Sequence, residues 1–247
     1  GGGRAPLQRL AGELANWPPA LCLLKPVMAE PSGTRCLYLL IGLLAGAFIT
    51  WSGHAPPADF RSPAHSDVVN RLKQMKRRER KSVYLLTGAA GFVGFHTATE
   101  LIRRGHSVIG LDNFNRYYDV RLKRERESKL KKAGMTTLIE GDVCDGDLLR
   151  LLMREGRVTR VIHLAAQAGV RYSLKKPLEY VQANVRCFVT MLEAVKDVDK
   201  HLPITYASSS SVYGLNVQIP FSETHRIESQ ASLYGATKES NERIAHV

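Results

Sequence analysis

Residues 82–247 predict an α/β fold with a parallel sheet covered by helices on both faces. Three observations carry this. Short apolar runs alternate with stretches of helical spacing, the runs are apolar nearly throughout, and the first opens into glycines at the mouth of a helix. Strands buried on both sides read as continuous hydrophobic runs, and strand–helix alternation is the mark of crossover connections.

Taken in order, the predicted strands are SVYLLT (82–87), SVIGLD (107–112), TTLIEGD (136–142), RVIHLAA (160–166) and PITYASS (203–209). Helical patterns lie between them, notably FVGFHTATELIRRG (92–105) and the long stretch LEYVQANVRCFVTMLEAVK (178–196). With 44% hydrophobic residues the chain has enough apolar material for a core, which argues against wholesale disorder.

The sequence before residue 82 has a different texture. Residues 1–35 are punctuated by Pro and Gly without sustained periodicity, and Met28 is a candidate start. Cys36–Gly53 is a run of 18 residues without a charge, at the lower limit for a membrane span, with Tyr38 and Trp51 where interfacial aromatics belong. A buried core helix and a cleaved signal peptide are the alternatives. An uncleaved transmembrane anchor is preferred because the run exceeds the usual length of a signal-peptide core. Flanking charges tie, with Lys25 and Arg35 before it and Arg61 and Arg71 after it. Residues 54–81 read as a stem, Pro-rich and then basic.

Of the net charge of +12, the first 81 residues carry 12 Lys/Arg against 5 Asp/Glu, or +7. Much of that lies in RLKQMKRRERK (71–81), which could bind nucleic acid or anionic lipid. A solvated linker is the preferred reading, so no nucleic acid partner is expected. Cys22, Cys36, Cys144 and Cys187 are widely scattered, with no CxxC and no Cys/His ligand spacing. Neither a metal site nor a disulfide framework is expected.

TGAAGFVG sets Gly88, Gly91 and Gly94 between the first strand and a helix. Absent side chains let the backbone approach a pyrophosphate, whose charge meets free N–H groups at the helix start. Asp112 ends the second strand, 24 residues after Gly88, where a carboxylate accepts hydrogen bonds from ribose hydroxyls and repels a 2′-phosphate. Arg116 nearby would welcome NADP; the carboxylate weighs more heavily, so NAD is the expected cofactor. Asp142, at the end of the third strand, is placed either to reach the adenine edge or to form a turn.

Tyr234 and Lys238 stand four apart at the start of a helix and share one face. A cation beside a phenol favours the phenolate, giving a base that takes a hydroxyl proton while hydride leaves the same carbon. YASSSSVYG (206–214) follows the fifth strand, so Ser209 lies at the carboxyl edge of the sheet and would share that proton.

This set resembles the extended short-chain dehydrogenase/reductase family, with a Rossmann-like doubly wound sheet. In detail it is similar to the membrane-anchored UDP-glucuronate 4-epimerases of plant cell-wall polysaccharide synthesis. The resemblance covers roughly Ser82–Val247 and rests on TGAAGFVG, LDNFNRYYD, EGDVCD, HLAAQAGVRYS, ASSSSVYGLN, PFSE and SLYGATK. It implies NAD contacts at Phe92, Val93, Asn113, Asn115, Asp142, Val143, Leu164, Ala165, Ala166, Ala168 and Asn184, together with Tyr234 and Lys238.

Sugar-nucleotide 4,6-dehydratases place an Asp-Glu pair where this chain has Ser210 and Ser211, and UDP-xylose-forming decarboxylases typically have Glu at 211. Small hydroxyls there suit a uronate carboxylate, which makes Ser209, Ser210, Ser211 and, at the mouth, Arg171 the candidate substrate contacts. The implied reaction interconverts UDP-glucuronate and UDP-galacturonate. The implied setting is a Golgi membrane, type II, with the catalytic part luminal and a homodimer as the assembly. Relatives of this kind continue past the Tyr-Lys helix into further strands and a substrate domain, so a C-terminally truncated sheet is expected. Two alternatives stand beside this reading: another UDP-sugar epimerase or dehydratase, and a non-catalytic membrane-tethered NAD-binding protein.

Overall fold

A computed structural model of the chain describes residues 24–26, 65–74, 82–135, 137–227 and 229–247. The proposed membrane span at 36–53 lies outside these residues, as does most of the tail and stem around it. Among the described residues, no helix is long and apolar enough to cross a membrane.

A six-stranded sheet forms the middle layer. Its strands are β1 (Leu24–Pro26), β2 (Val83–Thr87), β3 (Ser107–Asp112), β4 (Thr137–Glu140), β5 (Arg160–His163) and β6 (Ile204–Ala207), in the order β1-β6-β5-β2-β3-β4. β2 to β6 pair in parallel, and β1 adds antiparallel at the edge of β6. Each parallel connection carries helix: α2 (Phe92–Arg103), α3 (Val120–Lys132), α4 (Gly146–Glu155), then α5 (Val170–Lys175), α6 (Pro177–Tyr180) and α7 (Cys187–Val198). α1 (Ser66–Lys73) precedes the first crossover, and α8 (Leu233–His246) follows β6. The strand order reverses beside β2, and in such sheets ligands bind at the carboxyl ends flanking that reversal.

The pleat sends successive side chains to opposite faces. In β2, Val83 and Leu85 join one core with Leu149 and Leu152 of α4 and Met191 and Val195 of α7. Tyr84 and Leu86 join the other, with Ala98 and Leu101 of α2 and Leu130 of α3. Every residue of β2 and β3 is buried, which explains their continuous apolar reading.

Four sequence expectations are corrected. The strands end earlier than read: β4 stops at Glu140, β5 at His163 and β6 at Ala207, and the residues beyond become the loops that carry the candidate site. The stem is not all linker. α1 buries Val68, Val69 and Leu72, of which Val68 and Leu72 join the core on the α4 side of the sheet, and Arg71 donates to Leu138 O at 2.8 Å. The stretch 178–196 is not one α-helix. α6 ends at Tyr180, a π-helical turn runs Val181–Arg186, and α7 begins at Cys187. Finally, Cys144 and Cys187 are joined as a disulfide, their Cα atoms 4.4 Å apart. They are 43 residues apart in sequence, so only the packing of α4 beside α7 brings them together.

Candidate active site

The glycines allow a close helix–strand contact. Gly88 sits in the left-handed region at φ +68°, and a Cβ there would lie 2.9 Å from Ala165 N. A Cβ on Gly94 would lie 2.0 Å from Gly88 O, which is backbone and has no rotamer to yield. Gly91 is the N-cap of α2 and supplies no side chain to its first N–H groups. Beside it Phe92 and Val93 are 63% and 39% exposed, unusual for apolar residues at a helix start and suited to lying under a ligand. Gly94→Ala is expected to cost about 2 kcal/mol, the usual scale for overpacking, and to weaken NAD binding by at least about tenfold. Denaturant melts and a cofactor titration of the variant check both.

Asp112 is buried at the end of β3. Its Oδ2 accepts the Ala90 N–H at 3.0 Å, and its Oδ1 accepts the Phe114 N–H at 2.8 Å and Lys123 Nζ at 3.0 Å. The carboxylate thus ties the glycine loop to α3. Asn113 and Asn115 are exposed on the following loop, and Asn113 Nδ2 donates to Asp142 Oδ2 at 3.0 Å. Asp142 is exposed and also accepts the Cys144 N–H at 2.8 Å, so its turn role and its position at the sheet edge coexist. Val143 is buried beside it.

The loop after β5 supplies Leu164, Ala165, Ala166 and Ala168, with Ala166 and Ala168 exposed. Thr87 holds this loop by accepting the Ala165 N–H at 3.1 Å, and its hydroxyl shares a 2.9 Å hydrogen bond with His163 Nδ1. Burial, reinforced by the charge of Lys238, pushes His163 down to about 3, so the imidazole is neutral at physiological pH. Tyr180, which burial raises to about 12, keeps its proton and donates it to the carbonyls of Ala168 and Gly169, both 2.6 Å away.

Asn184 sits in the π-helical turn, and its side chain faces the protein. Its Oδ1 accepts the Gln167 N–H at 2.7 Å, while Nδ2 donates to Gln167 O at 3.0 Å and to Thr237 Oγ1 at 3.1 Å. Asn241 Nδ2 donates to its carbonyl at 2.6 Å. Both amide hydrogens are therefore used on protein acceptors. The residue is a strut between the β5 loop and α8.

β6 and α8 bring the last three groups to the same sheet edge. Ser209 caps the 3₁₀ turn Ser210–Tyr213, accepting the Ser211 N–H at 3.2 Å. Tyr234 opens α8, its ring edge-on to Tyr180 at 6.1 Å. Burial raises its phenol above the ordinary value, and the Ser209 hydroxyl works in the opposite direction. Lys238 is buried, donates to Ala207 O at 3.1 Å and is pushed down by burial to about 8. The sequence reading had the lysine lowering the tyrosine. In the chain by itself burial is the largest influence on the phenol and the Ser209 hydroxyl opposes it, while the ammonium is aimed at the end of β6. Arg171 is exposed on α5.

Several residues of this site went unread in the sequence: Lys123, Tyr180, Gln167, Thr237 and Glu242. Only Glu242 carried a usable signal. It is four residues past Lys238 on the same face, and it accepts a hydrogen bond from the Ser208 hydroxyl.

A doubly wound sheet, a glycine loop at its reversal point and a Tyr–Lys helix across from it define a dinucleotide-binding domain of the extended short-chain dehydrogenase/reductase class. Residues 85–247 match the family described as GDP-mannose 4,6 dehydratase, and the chain belongs to that family. It is 50% identical over 184 residues to UDP-glucuronate 4-epimerase 3 of Arabidopsis thaliana, covering 74% of this chain and 42% of that one. It is 45% identical over 164 residues to a probable UDP-glucuronate 4-epimerase of Rhizobium meliloti, covering 66% and 48%. Among solved structures, a UDP-glucuronic acid 4-epimerase mutant of Bacillus cereus, in complex with a fluorinated UDP-glucuronic acid and NAD, aligns with a TM-score of 0.58. That alignment has 33% identity and covers 66% and 51% of the two chains. The UDP-glucose 4-epimerase of Bifidobacterium longum, with NAD+ and UDP, gives a TM-score of 0.58 at 31% identity, covering 66% and 48%. The chain thus spans between two fifths and about half the length of these relatives.

Proposed function

We propose that this chain carries the cofactor site and catalytic groups of a UDP-glucuronate 4-epimerase, which interconverts UDP-glucuronate and UDP-galacturonate. One observation carries the reading: Ser209, Tyr234 and Lys238 converge at the carboxyl edge of the sheet, across from a glycine loop whose geometry suits a pyrophosphate. Similarity at about 50% identity to plant UDP-glucuronate 4-epimerases supports the substrate. So do the hydroxyls of Ser210 and Ser211, where elimination or decarboxylation would call for acids.

The fit to NAD rests on the tight Gly88–Gly94 contact, the exposed Phe92 and Val93, and the carboxylate at the end of β3. The glycine loop and the start of α2 would hold the pyrophosphate, and Asp112 the adenosine ribose. NAD, when bound, supplies the hydride acceptor that later returns the hydride to the opposite face of the sugar.

Tyr234 takes the proton of the C4 hydroxyl as that carbon becomes a carbonyl, and gives it back when the new epimer forms. Ser209 holds the same oxygen and shares the proton. Lys238 supplies the cation that offsets the raised phenol. Tyr180 and Asn184 hold the ring and the helix that present these groups. Incubating the chain with NAD and UDP-glucuronate, then separating the nucleotide sugars, is expected to give UDP-galacturonate. A stable 4-keto or decarboxylated product would assign a different member of the class.

The uncharged run at 36–53 supports a single-pass anchor in a Golgi membrane with residues 82–247 in the lumen, and assembly as a homodimer completes this reading. Protease protection of residues 82–247 in sealed vesicles tests the orientation; digestion without detergent would overturn it.

A further inference from the structure

The disulfide between Cys144 and Cys187 lies beside residues read as cofactor contacts at the adenine end of the site. Asp142 and Val143 immediately precede Cys144 on the loop that leaves β4. Asp142 Oδ1 accepts the Cys144 N–H at 2.8 Å and stands 4.0 Å from Cys187 Sγ, while its Oδ2 accepts Asn113 Nδ2 at 3.0 Å. Gln182, in the π-helical turn, donates from Nε2 to Cys144 Sγ at 3.2 Å. Cys187 opens α7, three residues after Asn184, the strut to the β5 loop and α8. One covalent bond therefore joins the loop carrying Asp142 to the segment that braces the helix of Tyr234 and Lys238. Asp142 is exposed, so the backbone of this loop decides where its carboxylate stands.

The two sulfurs are not equally open. Cys187 is 2% exposed and shares the core with Met191 and Val195, whereas Cys144 is half-buried at its margin. Thiol–disulfide exchange requires a thiolate to reach one sulfur, and here that sulfur is Cys144 Sγ.

We propose that Cys144–Cys187 is a thiol-exchange site that controls NAD affinity: the bonded form holds Asp142 and Val143 in place for the adenine, and the reduced form releases them. This rests on the reading of those two residues as cofactor contacts. The reductant is a small thiol such as glutathione. Its thiolate attacks Cys144 Sγ, the Cys144–Cys187 bond breaks, and Cys187 leaves as a thiolate that takes a proton from water. A second glutathione thiolate attacks the glutathione sulfur of the mixed disulfide and frees Cys144, which is protonated in turn. Two small thiols become one disulfide as the protein disulfide becomes two thiols. Unbonded sulfurs need more room than bonded ones. Buried Phe188, Met191, Ala194 and Val195 fix α7, so the loop after β4 is the part that shifts.

The test is equilibrium NAD titration of the full chain, oxidised and then reduced by excess glutathione, with circular dichroism following the fold of both forms. Reduction is expected to weaken NAD binding by about tenfold. Linkage is reciprocal, so saturating NAD is expected to make the disulfide harder to reduce by the same factor, about 30 mV in a glutathione redox titration. Two variants separate this pair from Cys22 and Cys36. Cys144→Ser/Cys187→Ser is expected to bind NAD like the reduced chain and to ignore glutathione. Cys22→Ser/Cys36→Ser is expected to keep the full response, which decides the matter if the first variant does not fold. A response that follows Cys22 or Cys36 overturns the proposal. So does a disulfide that excess glutathione leaves intact, or a reduced chain that unfolds. Equal affinities in the two forms overturn it while the NAD reading stands, whereas binding in neither form overturns that reading and the proposal with it.

Discussion

Replacing Tyr234 with phenylalanine is expected to lower the turnover of UDP-glucuronate by about 10³-fold, the usual contribution of a positioned general base. Phenylalanine keeps the ring that packs edge-on against Tyr180 at 6.1 Å, so the fold and the mouth of the site stay as they are. Only the hydroxyl is lost, the group proposed to move the C4 proton. Because burial holds this phenol above its ordinary value, the wild-type rate is expected to rise with pH across the neutral range, and that dependence to vanish in the variant. Steady-state kinetics over a pH series measures both. A variant retaining more than about a tenth of the wild-type rate would move the base to another residue.

Lys238→Met is expected to change activity and stability in opposite directions. The ammonium is buried, and burial brings it down to about 8 from an unfolded value of 10.5. The sign follows from proton binding. Between pH 8 and 10.5 the unfolded chain holds more protons at this lysine than the folded one, so stability rises with pH through that window. Below pH 8 the cost of the buried charge is fully present, on the order of 3 kcal/mol, while losing the hydrogen bond to Ala207 O takes back about 1 kcal/mol. The cofactor-free variant is thus expected to be about 2 kcal/mol more stable at pH 7, with the gain disappearing towards pH 10.5. Turnover should fall by roughly 10²-fold or more, since the tyrosine loses its cation. Urea melts at both pH values decide it: a variant less stable than wild type at pH 7 would mean that the lysine supports the fold.

These opposed expectations follow from what the fold and the chemistry each ask of this position. A stable protein has no use for an unpaired ammonium in this position, and a helix face needs only apolar groups towards β6. Lys238 is tolerated because Ala207 gives it one acceptor and because the surrounding struts hold α8 in place. Asn184 bonds to Gln167 and Thr237, Asn241 reaches back to the Asn184 carbonyl, and Ser208 bonds to Glu242. The π-helical turn at Val181–Arg186 belongs to the same design, for it carries Asn184 between the β5 loop and α8.

What the sequence determined by itself is local. Gly88, Gly91 and Gly94 could be read as a phosphate-binding turn because the strand before and the helix after lie within a few residues. Tyr234 and Lys238 could be read as partners because helical spacing puts them on one face. The apolar runs of β2 and β3 announced a sheet covered on both sides, because burial on both faces removes the alternation. The tertiary structure alone decided the pairings between distant segments. Lys123, unread in the sequence, meets Asp112 only because α3 packs against the end of β3. Asn184 is carried towards α8 by a wide turn, and Cys144 meets Cys187 only because α4 and α7 lie side by side. Residue spacing encodes which face a side chain takes, whereas its partner depends on which elements the crossovers make neighbours.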